Sequence, residues 1–275
     1  MKHEVIHLKD VFPFLGEDGC DPTLETFLPY NMKEMNRQND KRPCIIVCPG
    51  GAYYMCSERE AEPVALNFLT AGYNAFVLTY SCNPHLFPTA LRQVAAVMEL
   101  IYAHAEDWNC DTSRIAIVGF SAGGHLAAHY SNAFDCPEVR EAFPESKPVN
   151  ATVLGYPVIS ADPAFGHMES FNLLLGHLPN EEEKARFSCD RLVRDITPPT
   201  FLWHTAEDNA VPVKNSLVYA QALAEHHVPF ELHIYPQGPH GLSTADSLTC
   251  DGLDPKVCVA HGWLDDARRW LTVNL

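Results

Sequence analysis

The chain has 275 residues and is 47% apolar, which suits one large hydrophobic core better than two. Thirty-five acidic residues against 19 basic ones leave a formal net charge of −16, which repels phosphate backbones and anionic lipid and so argues against nucleic-acid and membrane partners. The first ten residues are broken by charge and hold no apolar stretch of the kind a leader needs, and no run of about 18 apolar residues occurs. The ten cysteines form no CxxC pair, and some, such as Cys44 and Cys48, sit inside apolar runs. Reduced thiols in a cytoplasmic protein are therefore expected.

Short apolar runs alternate along the chain with longer helical patterns. Residues 5–8 and 24–28 read as strands, and 44–48 is a continuous apolar run stopped by Pro49-Gly50-Gly51, as for a strand buried on both faces. Residues 60–71 read as a helix with Ala61, Val64, Ala65, Phe68 and Leu69 on one face, opened by a capping box at Ser57-Glu58-Arg59-Glu60. A strand at 74–79, a helix at 88–104, a strand at 114–119 and a helix at 123–131 follow, then strands at 151–155, 200–203 and 230–234. Helices at 212–225, with Pro212 in the first helical position, and at 255–272 complete the pattern. Such alternation predicts βαβ units, a mostly parallel sheet and a single domain over 1–275. Residues 160–195 break it with helical pieces at 167–175 and 180–192, and are expected to form a cap insertion.

Gly119-Phe120-Ser121-Ala122-Gly123 fits G-x-S-x-G, placed between a strand and a helix. That context thrusts the Ser121 hydroxyl out on a sharp turn, as a nucleophile requires, and aims the Ala122 amide at the oxygen of a tetrahedral intermediate. The partners of such a serine follow in the order acid, then histidine. After the strand at 200–203 comes Glu207-Asp208, with Asp208 preferred and Glu207 the alternative. After the last strand comes His240, in the glycine- and proline-rich loop Pro236-Gln237-Gly238-Pro239-His240-Gly241. Of the 14 histidines, His204 and His125 lie near these segments but off that loop, and are expected to be structural or pocket residues. His240 would take the Ser121 proton and return it to a leaving alcohol, while Asp208 fixes the imidazole tautomer. There is no HExxH, paired CxxC or phosphate-binding glycine loop, so no metal or cofactor is expected.

These motifs, with Pro49-Gly50-Gly51-Ala52-Tyr53, the stretch from Glu58 to Ala65, Gly155-Tyr156-Pro157 and Gly238-Pro239-His240-Gly241-Leu242, resemble those of serine esterases of the α/β-hydrolase superfamily. The likeness is nearest to the bacterial acetyl-xylan-esterase-like and carbohydrate-esterase-like group, and it runs from about residue 40 to the end. The resemblance implies an α/β-hydrolase fold: a mostly parallel sheet of about eight strands flanked by helices, with a small helical cap. It also implies removal of acetyl or other short acyl groups from xylan-type carbohydrate or small esters. By likeness to the His-Gly-Gly-Gly loop of esterases, with Pro49 in place of His and Ala52 in place of the last Gly, Gly51 and Ala52 would supply further oxyanion donors beside Ala122. Tyr53, Tyr54, Met55, Phe120, Tyr156 and Pro157 are candidate pocket residues. A prolyl-oligopeptidase-type peptidase shares the fold and triad order, and a non-catalytic ligand-binding relative is the third reading. The sequence assigns no oligomeric state.

Overall fold

The computed structural model describes residues 1–17, 19–250 and 260–275. Eight strands form one sheet: β1 (Lys2–His7), β2 (Thr23–Leu28), β3 (Arg42–Cys48), β4 (Asn74–Thr79), β5 (Cys110–Phe120), β6 (Ala151–Gly155), β7 (Thr200–Thr205) and β8 (Phe230–Tyr235). Their spatial order is β1-β2-β4-β3-β5-β6-β7-β8. The first two pairings in that order are antiparallel and the rest parallel.

The central strands are apolar without alternation because both faces are covered. Cys44, Ile46 and Cys48 of β3 enter one core, and Ile45 and Val47 enter the other. The first core is closed by α3 (Thr89–Ala103), α4 (Ser121–Ala133) and α8 (Lys214–Glu225). The second is closed by α2 (Glu62–Thr70) and α9 (Trp263–Asn274), whose Trp263, Ala267 and Trp270 pack toward the sheet. The short helices α1 (Leu8–Val11), α5 (Pro137–Ala142), α6 (Met168–Leu175) and α7 (Glu181–Phe187) complete the chain. Among the described residues no helix is long and apolar enough to cross a membrane.

Several local expectations are corrected. The Ser57 side chain caps nothing. Residues Glu58–Glu60 form a separate 3-10 turn, and α2 starts at Glu62 with Ala61 as its cap residue. A true capping box forms instead at α7, where Asn180 and Glu183 exchange hydrogen bonds. Helix α8 begins two residues after Pro212. The expected terminal helix at 255–272 is seen from Trp263, and 255–259 lie outside the described residues.

The chain passes from β3 outward to β4, then returns to place β5 on the other side of β3. The direction of winding therefore changes between β3 and β5, and ligands of open α/β sheets bind outside the carboxyl ends of the strands at such a point.

Candidate active site

Strand β5 runs directly into α4 with no loop, so the turn falls on Ser121, whose φ is +52°. A side chain normally avoids that region, and a non-glycine residue held there marks a place the surrounding fold over-determines. The turn is possible because its flanks are bare. A Cβ on Gly119 would lie 2.2 Å from the Gly123 carbonyl oxygen, and one on Gly123 would lie 2.2 Å from the carbonyl oxygens of Cys48 and Pro49.

Three side chains that are distant in sequence meet there. His240 Nε2 is 2.9 Å from Ser121 Oγ, and His240 Nδ1 is 2.6 Å from Asp208 Oδ2. Asp208 follows β7 and His240 follows β8, so each loop stands at the carboxyl end of a neighbouring parallel strand. Asp208 Oδ1 accepts the amides of Ala210 at 3.0 Å and Val211 at 2.9 Å, which fixes the carboxylate plane. Its Oδ2 also faces His204 Nε2 at 3.3 Å. Burial opposes charge on Asp208, but the hydrogen bonds from His204 and His240 outweigh it and hold the carboxyl well below the usual carboxylate range. With Oδ2 an obligate acceptor, His240 carries its proton on Nδ1. Its Nε2 lone pair then receives the Ser121 hydroxyl.

His204 is a buried bracket for the acid. Its Nε2 also donates to the Val211 carbonyl at 2.8 Å, and its Nδ1 accepts from Ser216 at 2.8 Å. Glu207, the alternative acid, is exposed and lies 3.4 Å from the Gly238 amide instead.

A cavity of about 280 Å³ opens over Ser121 and His240. Gly51 and Ala52 form part of its wall. Among the described residues neither of their amides is taken by a protein acceptor. The Ala122 amide, in the first turn of α4, has no acceptor one turn earlier in its helix. The rest of the wall comes from Met55, a pocket candidate from sequence, and from Ser57, Arg59, Glu60, His167 and Gly241, which are not. His167 belongs to the 160–195 segment and carries it to the pocket. Burial lowers its pKa, and its Nδ1 lies 2.9 Å from Ser170 Oγ.

The four aromatic candidates and Pro157 do not line the cavity. Phe120 is wholly buried on the α9 side, against Trp263. Tyr156 is buried beneath His240, with ring centroids 4.9 Å apart, edge to face. Tyr53 points into the opposite core, its hydroxyl 2.8 Å from His125 Nδ1, and Tyr54 is 72% exposed. A larger cleft, of about 480 Å³, lies where Arg42 begins β3. Its Arg37, Lys41 and Arg114 are already paired with Asp40, Glu106 and Asp111, and its lining includes no serine, cysteine or histidine among the described residues. Among the described residues no cluster of three His, Cys, Asp or Glu side chains is placed to hold a metal ion.

His125, one turn beyond Ser121, and His129 are buried and neutral. Burial pushes His125 down to about 4, and burial with the charges of His125 and Arg186 pushes His129 down to about 3. Both bind a proton more readily in the unfolded chain, near the ordinary 6.5, so their contribution to stability is complete above that pH and is lost as pH falls below it. The unfolding free energy should fall toward about 1.4 kcal/mol per pH unit for each histidine. Urea titrations from pH 7 to 4 should show a shallower slope in His129→Asn than in wild type. An unchanged slope would contradict the buried neutral state.

The doubly wound sheet, the serine on a strained turn at its switch point, and the acid and histidine on later loops define an α/β-hydrolase. The chain matches the BD-FAE family over residues 31–223, more than half its length, and belongs to that family. It is 36% identical over 228 residues to endo-1,4-beta-xylanase B of Butyrivibrio fibrisolvens and 32% identical over 233 residues to an acetylxylan esterase of Xylanibacter ruminicola. Those matches cover 80% and 82% of this chain but only 35% and 45% of the relatives, so the chain corresponds to less than half of each. Among solved structures, an acetyl ester-xyloside bifunctional hydrolase from Caldicellulosiruptor lactoaceticus superposes with a TM-score of 0.84 at 36% identity, covering 98% of this chain and 96% of that one. A carboxylesterase from Lactobacillus plantarum superposes with a TM-score of 0.84 at 30% identity, covering 99% and 98%.

Proposed function

We propose that this protein is a carboxylic-ester hydrolase that removes acetyl or other short acyl groups from carbohydrate or small esters through an acyl-enzyme on Ser121. The observation that carries the proposal is the unbroken relay from Ser121 Oγ through His240 to Asp208, at 2.9 and 2.6 Å, beside a cavity with two amides on its wall that no acceptor among the described residues takes.

Ser121 Oγ attacks the ester carbonyl as His240 Nε2 takes its proton, and the charge on the tetrahedral oxygen is met by the amides of Gly51, Ala52 and Ala122. The intermediate collapses, the ester C–O bond breaks, and His240 returns the proton to the departing alcohol. Water then attacks the acyl-serine carbonyl with His240 again as base, the bond to Oγ breaks as His240 returns the proton to Ser121, and the acid leaves. Asp208, held ionised, stabilises the imidazolium in both halves.

The small cavity favours short acyl groups. The relatives named for acetyl ester and acetylxylan hydrolysis support a carbohydrate alcohol. Residues 160–195 serve as a cap that brings His167 to the pocket. The buried thiols of Cys44, Cys48, Cys110 and Cys189 are unbridged, the state a reducing cytoplasm preserves.

The test is a panel of p-nitrophenyl acetate, butyrate and octanoate, an acetylated xylo-oligosaccharide and a proline amide. Acetate should exceed octanoate in kcat/KM by at least roughly tenfold, with release of acetate from the oligosaccharide and no amide cleavage. Preference for octanoate would overturn the short-acyl assignment, and amide cleavage would make the protein a peptidase.

A further inference from the structure

Glu60 is 3% exposed, an unusual place for a carboxyl, and it lies in the wall of the candidate site. Its partners are hydrogen-bond donors on two other segments. Oε2 accepts the Gly50 amide at 2.8 Å, and Oε1 accepts the Tyr156 hydroxyl at 2.7 Å. The Tyr156 oxygen in turn accepts the Ser243 amide at 2.8 Å, so its own proton is directed at Glu60. The approach to Gly50 is close: a Cβ there would lie 2.6 Å from Glu60 Oε2.

One carboxyl thus links the loop that carries Gly50 to Tyr156 and, through Tyr156, to the His240 loop. Gly50 immediately precedes the two unpaired amides of Gly51 and Ala52. Tyr156 lies edge to face with the His240 imidazole, and Ser243 is three residues beyond His240 on the same loop. Resting on the assignment of Ser121 as nucleophile, we propose that Glu60 is a positioning residue: it fixes the Gly51 and Ala52 amides toward the tetrahedral oxygen and, through Tyr156, holds the His240 loop against Ser121. Glu60 touches no reacting atom. It acts on an arrangement used mainly in the transition state, so its loss should lower kcat and leave KM nearly untouched.

The test compares wild type, Glu60→Ala, Glu60→Gln and Tyr156→Phe by kcat and KM on p-nitrophenyl acetate. Each kcat is divided by the concentration of reactive serine, titrated with a fluorophosphonate probe, and the rate of phosphonylation is recorded. In that reaction the Ser121 Oγ–P bond forms and fluoride leaves, so the rate reports the same amides without depending on any ester. Glu60→Ala should lose about 10²-fold in kcat per titrated site and in phosphonylation rate, with KM within about threefold. Glu60→Gln should recover part of the loss, because its oxygen can still receive the Gly50 amide while its NH₂ meets a Tyr156 oxygen already engaged by Ser243. Tyr156→Phe should fall between. If Glu60→Ala does not fold, the other two variants decide.

Per-site kcat and phosphonylation rates within about threefold of wild type in all folded variants would overturn the proposal. So would activity losses matched by the loss of titratable serine, since that is the mark of a merely structural role. Failure of the probe to label wild-type Ser121 would instead overturn the nucleophile assignment beneath it.

Discussion

Ser121→Ala should lower ester hydrolysis by at least about 10³-fold while leaving the fold and its unfolding transition in place. The substitution removes one oxygen, whose partner His240 Nε2 reaches the cavity and can be hydrated there. Alanine bears the positive φ no worse than serine does, and the flanking glycines still clear the turn. Folding energetics therefore change little while the nucleophile disappears. Because the three side chains act as one unit, what remains is the catalysis available from binding and the unpaired amides alone. Circular dichroism and thermal unfolding establish the fold, and turnover of p-nitrophenyl acetate is the readout. Retention of more than about a hundredth of wild-type kcat would falsify the assignment.

Asp208→Asn should be nearly as severe, at about 10⁴-fold in kcat, although it changes neither size nor shape. The orientation of the new amide is forced. Oδ1 receives two backbone amides, from Ala210 and Val211, so the asparagine oxygen must stay there and its NH₂ must take the place of Oδ2. That NH₂ then confronts Nδ1 of His240, which can accept it only by giving up its proton. The imidazole shifts to the tautomer with hydrogen on Nε2, and a donor now faces Ser121. His204 Nε2, donating toward the same position, also loses one of its two acceptors, which should cost about 1–3 kcal/mol of stability. Asp208→Asn retaining a tenth of wild-type kcat would show that the carboxylate does not set the tautomer.

Legibility from sequence followed burial. Strands β4 and β6 have the bounds expected from sequence, 74–79 and 151–155, because both faces of each are covered and little else is compatible with the composition. Strand β5 starts at Cys110, four residues before the expected start at Arg114, because pairing with Arg42 of β3 draws polar residues into the ladder. The segments that bring Ser121, Asp208 and His240 together were legible because glycine and proline loops after strands are strong punctuation. Ser57, Arg59, Glu60 and His167 in the wall of the cavity were not legible. Glu58-Arg59-Glu60 reads as a helix cap in one dimension, and only the folded chain shows Glu60 turned inward onto Gly50. The aromatic candidates failed for a related reason: adjacency to a loop does not say which core a side chain enters, and Phe120 and Tyr53 enter opposite ones.

The hydrogen bond from Ser121 to His240 spans 119 residues of chain, and the unpaired amides near the end of β3 lie further still from His240. No local segment holds even two members of the proton relay in contact except through the sheet. Ester turnover therefore reports completion of the β3-to-β8 ladder, and during refolding it should appear only after helical signal and apolar burial are largely recovered. For the same reason, breaking the chain between Ser121 and His240 leaves fragments that must find each other before either can act, so activity becomes a direct measure of their reassociation.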